Sequence, residues 1–331
     1  MNPESNPALL ASVVIVSWNA RRYLEECLTS LRAVRDIPLE ILVVDNASSD
    51  GSPEMVQEKF PEVQLFQTGA NLGFAKGNNF AIPRCRGKYI CLINSDVNVR
   101  PGSLQAVLEF MDANPDVGMA GPPWLTAELK VRRSCMRFPT VWNNFCRATA
   151  IDCIFKSVGG LLMTDFSHEE TADVEALNGW FWVVRREALA QVGLLDERFF
   201  MYGEDLDWSY RFAQAGWRRV FVAGPGSIHY GGSSSAVAPV RFYIEMQKAN
   251  FQYFEKHHST LACYAIYGTT ALHELVRITG YSLAYLLWPA KRRTASLMIE
   301  RGFATLRWLI GFRYRQRSFS SPAPVAELRE S

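Results

Sequence analysis

No CxxC pair occurs in the chain, although it holds seven cysteines, at 27, 85, 91, 135, 146, 153 and 263. That absence argues against a zinc site of the paired-cysteine kind. An odd number of thiols, scattered among apolar neighbours, fits reduced core cysteines and a cytoplasmic setting. No apolar run reaches the roughly 18–20 uncharged residues that a spanning helix needs. The opening MNPESNPALLASVVIV has no basic n-region and no small-residue cleavage site after an apolar run, so it reads as lacking a secretory signal. No GxGxxG follows the first apolar strand; SWNARRYL stands there, which argues against a nicotinamide-linked Rossmann enzyme. Net charge is only +2, too little to point to nucleic acid as a partner. No internal repeat is visible.

What is present is ordinary globular composition, 331 residues with 48% hydrophobic content, enough for one large domain or two smaller ones. The first half alternates two periods. SVVIVS (12–17), LEILVVD (39–45), VQLFQ (63–67) and KYICLIN (88–94) read as strands. YLEECLTSLRAV (23–34), SPEMVQEKF (52–60), AKGNNFAI (75–82) and PGSLQAVLEFMDAN (101–114) read as helices, the last with Pro101 at its start. Such alternation predicts a mostly parallel sheet with helices on both faces and ligands at the strands' carboxyl ends. Asp45 and Asp96 stand at two such ends. Residues 124–172 show no sustained period, and beyond Pro239 the pattern is helical.

Polar clusters punctuate this frame, and each has two readings. Asp45 in VVDNASSDGS either accepts from a ribose or base edge or caps the next turn. TGANLGFAKGNN offers Gly69, Gly73 and Gly77 for close backbone approach, and Asn71, Lys76 and Asn78 as donors to phosphate or sugar; it also suits a left-handed turn into a helix. In CLINSDVNV, a buried strand ends in Asn94, Ser95 and Asp96. Asp96 suits Mg2+ or Mn2+, which reach proteins through one or two carboxylates plus substrate phosphates; the same residues also favour a plain turn. Glu204, Asp205 and Asp207 follow Gly203 at a helix start, where the dipole favours acids. Asp207 and Arg211 have ion-pair spacing, yet three adjacent carboxylates repel, which suits one of them to be a base of raised pKa. Trp180 and Trp182 would share one strand face, for sugar stacking or for core. His229 adjoins a Gly/Ser loop and is either structural or a metal ligand.

Taken in order, VVIVSWN, VVDNASSDGS, ANLGFAKGNN, INSDV, NGWFWVVRREAL, VGLLDERFFMYGEDLDWSYR and IHYGGSS resemble the family 2 inverting glycosyltransferases of GT-A fold, an α/β Rossmann-like mixed sheet with flanking helices. The likeness runs from about Val13 to Ser235 and looks nearest to bacterial rhamnosyltransferases acting on cell-surface glycans. The resemblance implies that Trp18, Asn19 and Asp45 contact the nucleotide, and that Asn71, Lys76, Gly77, Asn78, Asn94 and Ser95 line the donor site. It implies Asp96 as the acid binding Mg2+ or Mn2+, His229 as a further ligand, Asp205 as general base, and Trp180 and Glu204 at the acceptor site. Asn94 replaces the first acid of the family's DxD motif, which removes one charge and places more weight on His229.

On this reading residues 1–105 form the nucleotide-sugar half of a GT-A domain and 106–238 the acceptor half, followed by a helical region at 239–317 and a flexible tail at 318–331. The partners are a nucleotide-sugar donor, dTDP-rhamnose or a UDP-sugar, and a lipid-linked or polysaccharide acceptor. A non-catalytic nucleotide-sugar-binding scaffold is the reading from another class. Between Lys291 and Arg317 eight basic residues stand against one acid, Glu300, and Arg293, Glu300 and Arg307 repeat every seven. Beside apolar Leu306, Trp308, Leu309, Ile310 and Phe312 this suits a helix on the anionic inner face of the cell membrane. A cover for the catalytic core, or a homo-oligomer contact, is the plainer alternative.

Overall fold

A computed structural model describes residues 10–35, 37–151, 155, 160–231 and 238–311. The chain begins with β1 (Ala11–Ser17), α1 (Arg21–Arg32), β2 (Leu39–Asp45), α2 (Ser52–Lys59), β3 (Gln64–Gln67), α3 (Gly73–Ala81) and β4 (Tyr89–Ile93). Then come β5 (Val97–Asn98), α4 (Ser103–Ala113), β6 (Val117–Gly121), β7 (Trp124–Leu125), β8 (Val131–Arg132), β9 (Cys135–Met136) and α5 (Val141–Ala148). The acidic helix follows β10 (Ala172–Asp173), β11 (Ala176–Leu177), β12 (Phe181–Arg185) and α6 (Arg186–Val192), as α7 (Glu204–Gln214). The described chain closes with β13 (Arg218–Phe221), β14 (Ser227–His229), α8 (Pro239–His257), α9 (Thr260–Leu287) and α10 (Arg292–Gly311).

One eight-stranded sheet, in the order β10-β13-β6-β12-β4-β1-β2-β3, takes strands from both halves of the chain. β1 pairs in parallel with β2 and β4, with Ser17 beside Asp45. Its central strands bury both faces, which is why they read as continuous apolar runs. Val13, Ile15, Val43, Cys91 and Ile93 pack under α1 and α4, while Val14, Leu42, Val44, Ile90 and Leu92 pack with Ala75, Leu189, Trp208 and Phe212 on the other side.

β12 is antiparallel to both β4 and β6. This reversal brings the turn before β12 to the carboxyl end of β4, where Asn94 N donates to Trp180 O at 3.0 Å. Trp180 lies in that turn rather than in the strand, so it does not share a face with Trp182 as a continuous strand would require. Trp180 joins the α1 side, and Trp182 packs on Trp208 on the other. Pro101 likewise falls in a turn, and α4 starts after Gly102, whose φ of 78° suits a residue without Cβ.

The carboxyl-terminal helices form a separate apolar cluster around Phe251, Tyr253, Phe254, Ile266 and Leu309. The apolar piece at 261–272 and most of the one at 278–290 are parts of one 28-residue helix, α9, which ends at Leu287 before an extended Trp288. Among the described residues no helix is long and apolar enough to cross a membrane. The tail 318–331, together with Arg313, Arg315 and Arg317, lies outside the described residues.

Candidate active site

Four local structures meet at the carboxyl ends of β1 and β4. The first is the strand tip Asn94-Ser95-Asp96. The second is the Asn178–Trp180 turn. The third is the start of α7, where Gly203 (φ 81°) packs so closely that a Cβ would lie 2.9 Å from Ala249 Cβ. The fourth is β14, which pairs antiparallel with β5 so that His229 stands opposite Val97, next to Asp96. Between them lies a cavity of about 420 Å³, lined among others by Val16, Asn94, Ser95, Asp96, Glu204, Asp205 and His229.

Asp96 Oδ1 and His229 Nε2 lie 3.0 Å apart, and Asn94 Nδ2 lies 3.5 Å from the same ring nitrogen. Trp180 stacks on the imidazole at 5.5 Å and 12°, and Trp124 donates through Nε1 to the His229 carbonyl at 3.0 Å. These contacts fix the ring, and they bury Trp180 to 2% exposure, behind His229. His229 Nδ1 is buried without a hydrogen-bond partner among the described residues. Among the described residues no group of three acids, histidines or cysteines has metal-holding geometry. An oxygen and a nitrogen donor this close fit one divalent cation whose remaining ligands come from phosphate and water.

The three carboxylates of α7 differ sharply. Burial pushes Asp205 up to about 6, against the pull of the Leu206, Gly179 and Gly203 amides. Burial, then the neighbouring Asp205, holds Glu204 well above the usual carboxylate range, and its Oε2 has no hydrogen-bond partner among the described residues. Asp207 is also buried, but His257, Arg211 and Lys256 outweigh that cost and hold it well below the usual range. Its oxygens lie 2.9 Å from Arg211 Nε, 2.6 Å from Lys256 Nζ and 2.7 Å from His257 Nε2. Asp207 is therefore a structural anion, whereas Asp205 lines the cavity with a proton affinity near neutrality.

The remaining candidates lie outside the cavity lining, just after β1, at the end of β2, after β3 and in α3. Asn19 follows Trp18, has a φ of 48°, and accepts from Ser49 N at 2.8 Å through Oδ1. Asp45 accepts from Ser48 N at 2.9 Å through Oδ2, while its buried Oδ1 has no hydrogen-bond partner among the described residues. Asn71 accepts from Gly73 N at 3.0 Å. Asn78 is buried, its Oδ1 likewise without a partner among the described residues, and Lys76 is exposed. Gly77 packs beneath β1, where a Cβ would meet Val16 Cγ1 at 2.9 Å, so close helix–strand packing requires a glycine there. The cavity walls also hold Trp124, Arg132, Asn178, Met201 and Tyr202, which the sequence reading did not pick out. Trp124 and Arg132 come from two-residue strands without readable period. Tyr202 lies inside the quoted acidic motif, and its φ of 69° marks a special backbone position.

In this α/β fold an acid after β4 and a histidine at the end of β14 face, across one cavity, a helix start that carries a buried acid. Residues 12–192, more than half of the chain, match the family described as Glycosyl transferase family 2. The chain belongs to that family and is a glycosyltransferase. It is 29% identical over 262 residues to N-acetylglucosaminyl-diphospho-decaprenol L-rhamnosyltransferase of Mycobacterium tuberculosis, covering 75% of this chain and 84% of the relative. A succinoglycan biosynthesis protein of Rhizobium meliloti is 31% identical over 101 residues, 30% of this chain and 29% of the relative. A mannosyltransferase from Pyrobaculum calidifontis, solved with GDP-mannose and Mn2+, shares the GT-A fold with a TM-score of 0.53 at 18% identity, covering 91% of this chain and 86% of that one.

Proposed function

We propose that the protein is a metal-dependent inverting glycosyltransferase of cell-surface glycan synthesis, moving L-rhamnose from a nucleotide donor to a sugar linked through diphosphate to a polyprenol. The observation that carries the reading is one cavity holding both the Asp96–His229 pair and Asp205, whose proton affinity burial has raised towards neutrality. The extended likeness to the mycobacterial rhamnosyltransferase supports the sugar and the acceptor class.

In this reading Trp18, Asn19 and Asp45 receive the base and ribose, with the free Asp45 Oδ1 as acceptor for a hydroxyl or ring N–H. Lys76, Asn71 and Asn78 border the donor, and Asn94 and Ser95 face its sugar. Asp96 and His229 would hold Mg2+ or Mn2+, which offsets charge on the leaving diphosphate. Asp205 takes the proton of the acceptor hydroxyl as that oxygen attacks the anomeric carbon opposite the leaving group. The transition state is oxocarbenium-like. Burial, then the neighbouring Asp205, raises the Glu204 pKa, which favours its neutral form beside Asp205. Trp180 acts behind the site by fixing the His229 ring.

The exposed face of α9 carries Leu261, Leu272, Leu275, Leu283 and Leu286, and Lys291, Arg292 and Arg293 stand exposed just past its end. An apolar stripe with a cationic end matches an anionic membrane surface, where a polyprenol-linked acceptor resides.

Calorimetric titration of dTDP, UDP and GDP, each with and without Mn2+, tests the donor side. One nucleotide binds more tightly with metal, and Asp96→Ala removes that gain. Binding of no nucleotide, or a metal effect that survives Asp96→Ala, contradicts the proposal.

A further inference from the structure

A second cavity, of about 280 Å³, adjoins the first and shares Asn178, Tyr202 and Asp205 with it. The two therefore meet at the proposed base. Its other walls come from α5, α8 and α9, including Asn144, Arg147, Asn250, Tyr253, Thr270 and His273. Amides and hydroxyls are set here among apolar walls that include Met136, Leu161, Leu206 and Met246, a mix that suits a sugar ring and its hydroxyls. Asn250 Nδ2 donates to Asn144 Oδ1 at 3.0 Å, while Asn144 Nδ2 donates to Thr140 O and Asn143 Oδ1; further donor and acceptor capacity therefore lies on the Asn250 amide. Tyr253 is 0% exposed, yet its hydroxyl has no hydrogen-bond partner among the described residues. A buried hydroxyl without a partner is costly unless a ligand supplies one.

The charge in this lining is polarised. Asp205 stands where the two cavities meet. Arg147 is exposed, and its guanidinium has neither a salt bridge nor a hydrogen-bond partner among the described residues. His273 is neutral, its pKa pushed down to about 4 by burial and then by Arg147 and Arg277. Glu274, one residue on, is 0% exposed and accepts from Tyr243 Oη at 2.6 Å; burial raises its pKa against the pull of Tyr243, Arg277 and Arg147. Thr270 and His273 of α9 line the cavity, while Leu272, Leu275 and Val276 of the same helix are exposed to solvent.

Resting on the transferase reading above, we infer that this second cavity seats the acceptor, with its reacting hydroxyl at Asp205 and its diphosphate on Arg147, the lipid leaving along the α9 stripe. Arg147 is then a specificity residue that distinguishes phosphorylated from phosphate-free acceptors. An arginine fork suits a phosphate better than a lysine does.

The test compares two synthetic acceptors, N-acetylglucosamine on farnesyl diphosphate and the same sugar on an uncharged farnesyl ether. Preference is the ratio of their kcat/KM values. Arg147→Ala lowers this preference about 10- to 100-fold, as expected for a charge-assisted contact to phosphate, and Arg147→Lys restores part of it. An unchanged preference overturns the assignment. Direct binding of the diphosphate acceptor to nucleotide-loaded protein is measured alongside. If the wild type transfers to neither acceptor, the transferase reading fails, and the Arg147 assignment is then decided by binding alone. Weaker binding to Arg147→Ala than to wild type upholds it, and equal binding overturns it.

Discussion

Asp205 and Asp207 are two residues apart on one helix, yet their surroundings move them in opposite directions. Asp207 meets three cationic or donor side chains. Asp205 meets backbone amides, a buried acid and a cavity. That contrast predicts the pH dependence. A base must be ionised to work, so kcat/KM rises with pH and levels off above about 6, the value to which burial pushes Asp205. Asp205→Asn removes the base and lowers kcat by ~10²–10⁴-fold, while nucleotide binding measured by calorimetry persists. The same variant gains stability. The folded Asp205 pKa lies above its unfolded value, so the wild type loses stability as pH rises from about 4 to about 6. Thermal midpoints of Asp205→Asn and wild type should therefore coincide near pH 4 and separate above pH 6, with the variant higher. At this scale the sequence showed the three acids and the Asp207–Arg211 spacing. It could not show which acid stays unpaired, because Lys256 and His257 arrive from a helix about fifty residues away. Arg132 and Arg147 were illegible for a related reason: lone arginines in a stretch without period give no signal until the fold sets them on a cavity wall.

Elements, rather than residues, explain how the site is held. The start of α7 is tied to α8 through Asp207, which is 0% exposed and bonded to Arg211, Lys256 and His257. Removing one partner from a buried charge cluster strands the others, so Asp207→Ala should cost ~3–5 kcal/mol, read by urea denaturation at pH 7. The folded Asp207 pKa lies below the unfolded one, so its contribution is fully present above about pH 4 and fades as pH falls below that. The gap between wild type and Asp207→Ala should narrow over the same range. A constant gap would assign the loss to packing instead. The parallel strands β1, β2 and β4 were legible because burial on both faces makes their runs unbroken. The antiparallel insertion of β12 was not, since strand direction leaves no mark on composition, and with it went the true sides of Trp180 and Trp182. α9 read as two pieces because His273, Glu274 and Arg277 interrupt its apolar run. Those residues turn inward, where Arg277 Nη1 donates to Tyr243 Oη at 2.5 Å, and the helix continues past them.

At the scale of the whole molecule, catalytic frame and helical region share the cavity that contains Asp205 and Arg147, and the outer face of α9 carries the apolar stripe away from it. Flotation with vesicles tests that face. Wild type should float with vesicles rich in anionic lipid, less so in high salt. Leu283→Gln with Leu286→Gln should stay with the soluble fraction while keeping nucleotide affinity. Equal flotation of wild type and the double variant would remove the stripe from the account.

Incubation with dTDP-L-rhamnose, Mn2+ and farnesyl-diphospho-N-acetylglucosamine, with the product linkage read by NMR, tests the central claim most directly. The account predicts a disaccharide whose anomeric configuration is inverted relative to the donor, formed by wild type and not by Asp205→Asn. A product of retained configuration, or one made equally well by Asp205→Asn, would contradict it.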